Sequence, residues 1–158
     1  MYGTSDFDPR LIVEHWTGSE TQDAAVDYWN TSVEATWVHF IIDQDGRVTQ
    51  LAPLDVLAKH AFGVSPWAIG IEHVGRTDGE VMADPEMRRA SLRLTCWLQQ
   101  RLKIPLRGVI GHGEVPSHPR FGFTSAGWDW IESTGYEFHH DFSHRTMVTF
   151  RDHLRRKC

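Results

Sequence analysis

The sequence predicts an α/β fold: a single domain with a central mixed β-sheet flanked by helices. Three observations predict it. Short β-branched runs alternate with segments of helical periodicity, the order expected when helices cover a sheet. Asp45-Gly46 stands between two strand-like runs and signals a hairpin, which adds an antiparallel pair to the sheet. No repeat, linker or low-complexity segment divides the 158 residues, a length suited to one core.

Taken in order, Leu11-Ile12-Val13 is a β-branched run that reads as a buried strand delivering His15 at its end. Residues 21–30 carry Ala24, Ala25, Val26 and Tyr28 behind an acidic start, the pattern of a short helix. Residues 36–42 and 48–51 are the two arms of the hairpin, with Gly46 supplying the positive φ of its turn. Residues 68–75 form a further strand, followed by a turn at Asp78-Gly79. Asp84 is a helix N-cap, and Pro85 suits the first helical position because its missing N–H has no helical partner there. Met87, Ala90, Leu94, Trp97, Leu98 and Leu102 recur at steps of three and four as the core-facing stripe, and Pro105 marks the stop. Val109-Ile110 is a short strand that delivers Gly111-His112. A Gly- and aromatic-rich stretch follows to residue 138, and Ser143 caps a last helix over 144–156.

Composition bounds the function. The chain is 41% hydrophobic and 23% charged, and its net charge is -5, which excludes extensive disorder. A pI near 6.0 argues against nucleic acid as a partner, since phosphate backbones need a basic face. No apolar run approaches the roughly 18 residues of a membrane span, and residues 1–10 are unlike a secretory signal. Cys96, in a helical pattern, reads as an inert buried thiol, and Cys158 as a solvated one. The Arg151, Arg155, Arg156 and Lys157 cluster reads as a solvated helix end suited to the helix dipole. The unusual feature is ten histidines, which need a reason beyond an ordinary surface.

Three polar residues terminate or interrupt apolar strands: His15, Glu72 and His112. Strand ends on one edge of a sheet are where α/β scaffolds build sites. Two histidines delivered this way suit a metal, because catalytic zinc takes three protein ligands from His, Asp, Glu or Cys and leaves a fourth position open. With 97 positions between them, spacing leaves open the alternative of two satisfied structural histidines.

The blocks Ile12-Val13-Glu14-His15-Trp16-Thr17, Val38-His39-Phe40-Ile41-Ile42-Asp43-Gln44-Asp45-Gly46, Ala58-Lys59-His60-Ala61-Phe62-Gly63, Ala68-Ile69-Gly70-Ile71-Glu72 and Val109-Ile110-Gly111-His112 occur in one order. In that order and spacing the chain resembles the zinc-dependent N-acetylmuramoyl-L-alanine amidases of the amidase type 2 group, relatives of the peptidoglycan recognition proteins. The resemblance spans about residues 12–112 and resumes at His139.

It implies one Zn2+ per chain, with His15 and His112 as ligands and Glu72 as the catalytic glutamate. Many relatives carry a tyrosine base before the position of His39. Here Val38 stands there, which fits the glutamate-based branch. The family's third ligand follows the second by about ten residues, yet Phe121, Gly122 and Phe123 occupy that place. Either an insertion at about 113–138 delays the motif, so that His139 assists catalysis and Asp141 is the third ligand, or Trp128-Asp129-Trp130 marks a site whose ligand is lost. His118 and Asp129 are reserve ligands. A subset of bacterial relatives carries a His-x-Asp-Phe-Ser-His element like residues 139–144, which favours Asp141.

His39, His60 and Trp67 are expected at the substrate, with His39 and His60 alternatively in the layer behind the ligands. His73 is expected to be a satisfied histidine at a strand end. His144 is expected at the surface or hydrogen-bonded to Asp141. The implied reaction is hydrolysis of the amide between N-acetylmuramic acid and L-alanine, with peptidoglycan or a muropeptide as partner and action at the cell wall, by secretion or as a phage lysin. Two other functions fit the same blocks: an inactive peptidoglycan-binding module and a muropeptide-recycling amidase.

Overall fold

A computed structural model describes residues 7–31, 37–117 and 139–158. Its five-stranded mixed sheet has the order β3-β2-β4-β1-β5, with β1 at Leu11–Trp16, β2 at Phe40–Ile42, β3 at Val48–Gln50, β4 at Ala68–His73 and β5 at Val109–Gly111. β1 pairs in parallel with β4 and β5, β4 pairs in parallel with β2, and only the β2–β3 hairpin is antiparallel. Its turn closes as predicted: Gly46 has φ 78, and the Asp43 and Arg47 main chains hydrogen-bond across it.

Because side chains alternate along a strand, β1 divides its residues between two cores. Leu11 and Val13 pack with Ala61, Val64, Ala68, Ile110 and Val115. Ile12 faces the other way, into the larger core with Ile69, Ile71, Val109, Met87, Leu98, Phe142 and Phe150. The α-helices among the described residues are α1 (Gln22–Thr31), α2 (Asp78–Ala83), α3 (Pro85–Leu102) and α4 (His144–Lys157). Asp84 caps α3 by accepting from the Glu86 and Met87 N–H groups, and Ser143 caps α4 by accepting from Thr146.

Several expectations are corrected. Residues 78 and 79 open helix α2 rather than a turn, because Thr77 caps it by accepting from the Glu80 N–H. The buried stripe of α3 is Met87, Ala90, Ser91, Leu92, Thr95 and Leu98, while Trp97 is 48% exposed. Polar Ser91 and Thr95 face the core because two buried polar groups of the sheet, His73 and Glu14, need them as partners. Arg151 is not a solvated helix end: its guanidinium donates to Glu114 and to the Val109 carbonyl. Cys96 and Cys158 are not free thiols but a disulfide, which joins α3 to the end of α4. The proposed insertion at 113–138 lies mostly outside the described residues, as do His118 and Trp128-Asp129-Trp130. Its first five residues belong to a 3-10 segment, His112–Ser117.

Candidate functional site

Parallel pairing sets His15 of β1 directly beside Glu72 of β4, and β5 ends at Gly111, so His112 emerges next to them. The chain then returns at 139–143 across the end of β5, where the Gly113 N–H donates to the Asp141 carbonyl at 2.8 Å. This crossing brings three ligand-type side chains together. His15 Nδ1 lies 3.0 Å from His112 Nδ1 and 3.2 Å from Asp141 Oδ2, and His112 Nδ1 lies 3.1 Å from Asp141 Oδ1. All three residues are buried, and as a group they could hold a metal ion.

The donor set fits zinc. Bonds of about 2.0–2.1 Å in tetrahedral geometry place ligand atoms about 3.3 Å apart, close to the separations here. Asp141 Oδ1 is buried without a hydrogen bond although His112 Nδ1 is near, the state of an oxygen aimed at something other than a protein donor.

Tautomers can be assigned from the carbonyl at the end of the chain of contacts. His60 Nε2 lies 3.2 Å from the Ala68 carbonyl, which only accepts, so Nε2–H donates and His60 Nδ1 accepts. His15 Nε2 lies 3.0 Å from that Nδ1 and is therefore the protonated nitrogen of His15. Its Nδ1 lone pair is left facing His112 and Asp141. Burial, and then the neighbouring His112, hold His15 down at about 4, and burial with His15 and His39 nearby holds His60 well below its ordinary value. Both rings are thus neutral at pH 7, the form that ligates a metal. Asp141 is held well below the carboxylate range: burial works against its charge, and the contacts from His112 and His15 outweigh burial.

Glu72 Oε2 is buried with no hydrogen-bond partner. Burial and the Asp141 charge push this carboxyl well above its usual range, so the two acids favour a cation in their vicinity. His139 is exposed and stacks on the His112 ring at 5.1 Å between centroids. The structure therefore brings together His15, His112, Asp141, Glu72, His60 and His139.

His39 stands behind this group, its ring 6.0 Å from that of His60, and Trp67 is not part of it. His39 is fully buried; the Gly70 N–H donates to its Nδ1 at 3.0 Å, and its Nε2–H donates to the Val56 carbonyl at 2.9 Å. With both nitrogens committed to backbone, His39 pins a loop to the sheet rather than lining a groove. Trp67 ends the 3-10 turn Ser65–Trp67 at the opposite end of β4 from Glu72, about 16 Å along the strand at ~3.3 Å per residue. His144 bonds Glu114 at 2.6 Å, not Asp141.

Sequence reasoning also passed over Glu14. It sits on the helix side of β1, fully buried, accepting from Thr95 Oγ1 at 2.8 Å. Beside it, His73 donates through Nδ1 to the His15 carbonyl at 2.7 Å and meets Ser91 Oγ through Nε2 at 2.8 Å. His73 is thus the satisfied strand-end histidine expected. The signal for Glu14 was available: in a strand buried on both faces, the residue between Val13 and His15 must point at the helix layer.

The family model for N-acetylmuramoyl-L-alanine amidase (Amidase_2) matches residues 5–125 of this chain. The chain belongs to that family. The match ends before His139 and Asp141, so the return of the chain across β5, rather than the family pattern, joins Asp141 to the two histidines. Among solved structures, the Staphylococcus aureus hydrolase AmiA in complex with its ligand is 18% identical with a TM-score of 0.63, over 92% of this chain and 72% of that one. The N-acetylmuramoyl-L-alanine amidase LysC from Clostridium intestinale is 20% identical with a TM-score of 0.58, over 87% and 94%. The E. coli amidase AmiD, in complex with the substrate anhydro-N-acetylmuramic acid-L-Ala-D-gamma-Glu-L-Lys, is 19% identical with a TM-score of 0.59, over 85% and 61%. At these identities the likeness is one of fold. No curated protein matches. Among the described residues no helix is long and apolar enough to cross a membrane.

Proposed function

We propose that this member of the amidase family is zinc-dependent and hydrolyses the amide between the lactyl carbonyl of N-acetylmuramic acid and L-alanine in peptidoglycan. The observation that carries the reading is the convergence of His15, His112 and Asp141 beside Glu72, whose buried Oε2 has no hydrogen-bond partner. His15 Nδ1, His112 Nδ1 and an Asp141 oxygen would hold one zinc ion. Two neutral imidazoles and one carboxylate leave such a centre with a net positive charge, and the metal's chemistry there is to polarise a carbonyl and acidify water.

The residues of the chain supply the rest. Glu72 takes a proton on its carboxylate from the attacking water and returns it to the departing L-alanyl amine. A carboxyl made basic by burial suits both halves of that transfer. His139, exposed at the mouth and stacked on His112, donates an N–H to the oxygen that becomes negative in the tetrahedral intermediate. His60 holds His15 in the ligating tautomer.

The complete ligand trio favours catalysis over an inactive binding module. The Cys96–Cys158 disulfide favours wall peptidoglycan over soluble muropeptides of the cytosol, because disulfides persist in oxidising compartments. The test pairs metal analysis with release of new L-alanyl N-termini from purified sacculi. The wild type is expected to hold about one zinc per chain, Asp141→Ala to lose it, and Glu72→Gln to keep it while losing about a hundredfold or more in turnover. An Asp141→Ala protein with full zinc, or a fully active Glu72→Gln protein, overturns the assignment.

A further inference from the structure

Asp78 begins α2, in a part of the chain that contributes no ligand. Its carboxylate nevertheless collects five donors. Oδ1 accepts from the Phe142 N–H at 2.7 Å and from Trp16 Nε1 at 3.1 Å. Oδ2 accepts from the Ser143 N–H at 2.9 Å, Ser143 Oγ at 2.8 Å and Thr146 Oγ1 at 2.6 Å. Two of these donors have a particular place in the chain: Trp16 follows His15 and Phe142 follows Asp141. One carboxylate therefore ties together the residues immediately after two of the three ligands.

The turn it holds is one the chain would not adopt unaided. Phe142 has φ 50, the left-handed region that costs a bulky residue free energy and persists only where the surroundings enforce it. Successive Phe142 and Ser143 N–H groups point at the same carboxylate, the concave backbone arrangement that favours an anion. On its other side the turn rests on the end of β5. A Cβ on Gly111 would lie 1.7 Å from the Phe142 carbonyl oxygen, so only glycine admits the main chain there. The Phe142 ring is buried against His73 and Phe150. Burial pushes Asp78 up, and the donors from Thr146, Ser143 and Phe142 outweigh it and hold the group below its ordinary value, so it is a carboxylate at neutral pH. This turn follows directly on Asp141, whose carboxylate lies 3.2 Å from His15 Nδ1 and 3.1 Å from His112 Nδ1.

We propose that Asp78 is the positioning residue of the metal centre: by joining Trp16 to the Phe142-Ser143 turn it sets the direction of Asp141 and hence the affinity of the site for zinc. The inference rests on the zinc reading above. The measurements are zinc affinity by chelator competition, the visible spectrum of the Co2+ form, and urea unfolding of the metal-free protein. Asp78→Asn puts an amide N–H2 where donors already converge, and is expected to weaken zinc binding about 10- to 100-fold, the usual effect of losing a group behind a ligand, and to alter the Co2+ spectrum. Leu154→Ala removes buried core volume on α4 and no hydrogen bond of Asp78 or of a ligand. It is expected to lower stability while leaving the zinc affinity and Co2+ spectrum unchanged.

Should Asp78→Asn not fold, Trp16→Phe carries the test. It removes only the indole donor and is expected to weaken zinc about fivefold, the worth of one hydrogen bond. Unchanged zinc affinity in Asp78→Asn, or in Trp16→Phe where that variant decides, overturns the inference while leaving the zinc site intact. So does a Leu154→Ala protein that loses zinc affinity in step with its stability. A wild type that binds no zinc overturns the metal centre and this inference together.

Discussion

Replacing Glu14 by glutamine isolates the charge state of the one acid buried on the helix side of β1. Glu14 is fully buried, Thr95 Oγ1 donates to its Oε1, and its Oε2 stands 3.6 Å from His73 Nε2 without a hydrogen bond. Burial pushes Glu14 up to about 8, against a smaller pull from Thr95, and burial pulls His73 down to about 4. At pH 7 the folded protein thus holds a neutral acid beside a neutral imidazole. The unfolded chain, with Glu14 near 4.5, has lost that proton. The stabilisation is fully present below pH 4.5, falls by about 1.4 kcal/mol per pH unit as pH rises, and is gone once pH passes about 8. Between pH 5 and 7 the loss is about 3 kcal/mol. The glutamine amide has no proton to lose, so Glu14→Gln should gain about 3 kcal/mol on the wild type over those two units. Urea unfolding of both metal-free proteins at pH 5, 6 and 7 reads this directly, and taking the difference cancels the titrations they share. Stability curves that run parallel across the range would mean that Glu14 is ionised in the fold, and would refute the argument.

Two further outcomes follow from named contacts. Cys96→Ser with Cys158→Ser opens a loop of 62 residues' separation and should cost about 4 kcal/mol by chain entropy, seen as a lower urea midpoint that reductant also produces in the wild type but not in the variant. His60→Ala removes the acceptor of His15 Nε2–H and frees the ring to change tautomer. Zinc affinity measured by chelator competition should fall about 10- to 100-fold, and an unchanged affinity would show that His15 needs no such partner.

The legible part of this protein is the part written in short runs. Leu11 to His15, Ala68 to Glu72 and Val109 to His112 each pair an apolar strand with a polar residue at its end, and parallel pairing turned that local pattern into one cluster. Asp141 was reached differently, through a resemblance of residues 139–144 to a family element. No spacing rule would have placed it beside a histidine 126 positions away. The Cys96–Cys158 bond was illegible for the same reason, since two unpaired cysteines in sequence say nothing of the distance between α3 and the end of α4. Trp67 is expected at the substrate from its place before β4, and His39 there or behind the ligands; strand direction sets Trp67 at the far end of β4, and backbone hydrogen bonding holds His39 behind His60. Asp78 looked like a turn residue because Asp-Gly usually is one; its function depends on donors more than sixty positions distant.

The error on α3 shows what the hydrophobic pattern leaves out. A stripe drawn through Trp97 assumes that a buried helix face is apolar, but the sheet beneath α3 presents Glu14 and His73. Without Ser91 and Thr95 those groups would lose partners in a buried layer, at about 1–3 kcal/mol for each orphaned group. The helix therefore turns its two small hydroxyls inward and leaves Trp97 outside. The same alternation that puts His15 toward His112 and Asp141 puts Glu14 on the helix face, and His73 donates to the His15 carbonyl between them. The main chain of His15 is in this way held from behind by a polar layer, and a polar residue on a predicted core stripe becomes a reason to look for a buried acid or histidine across from it.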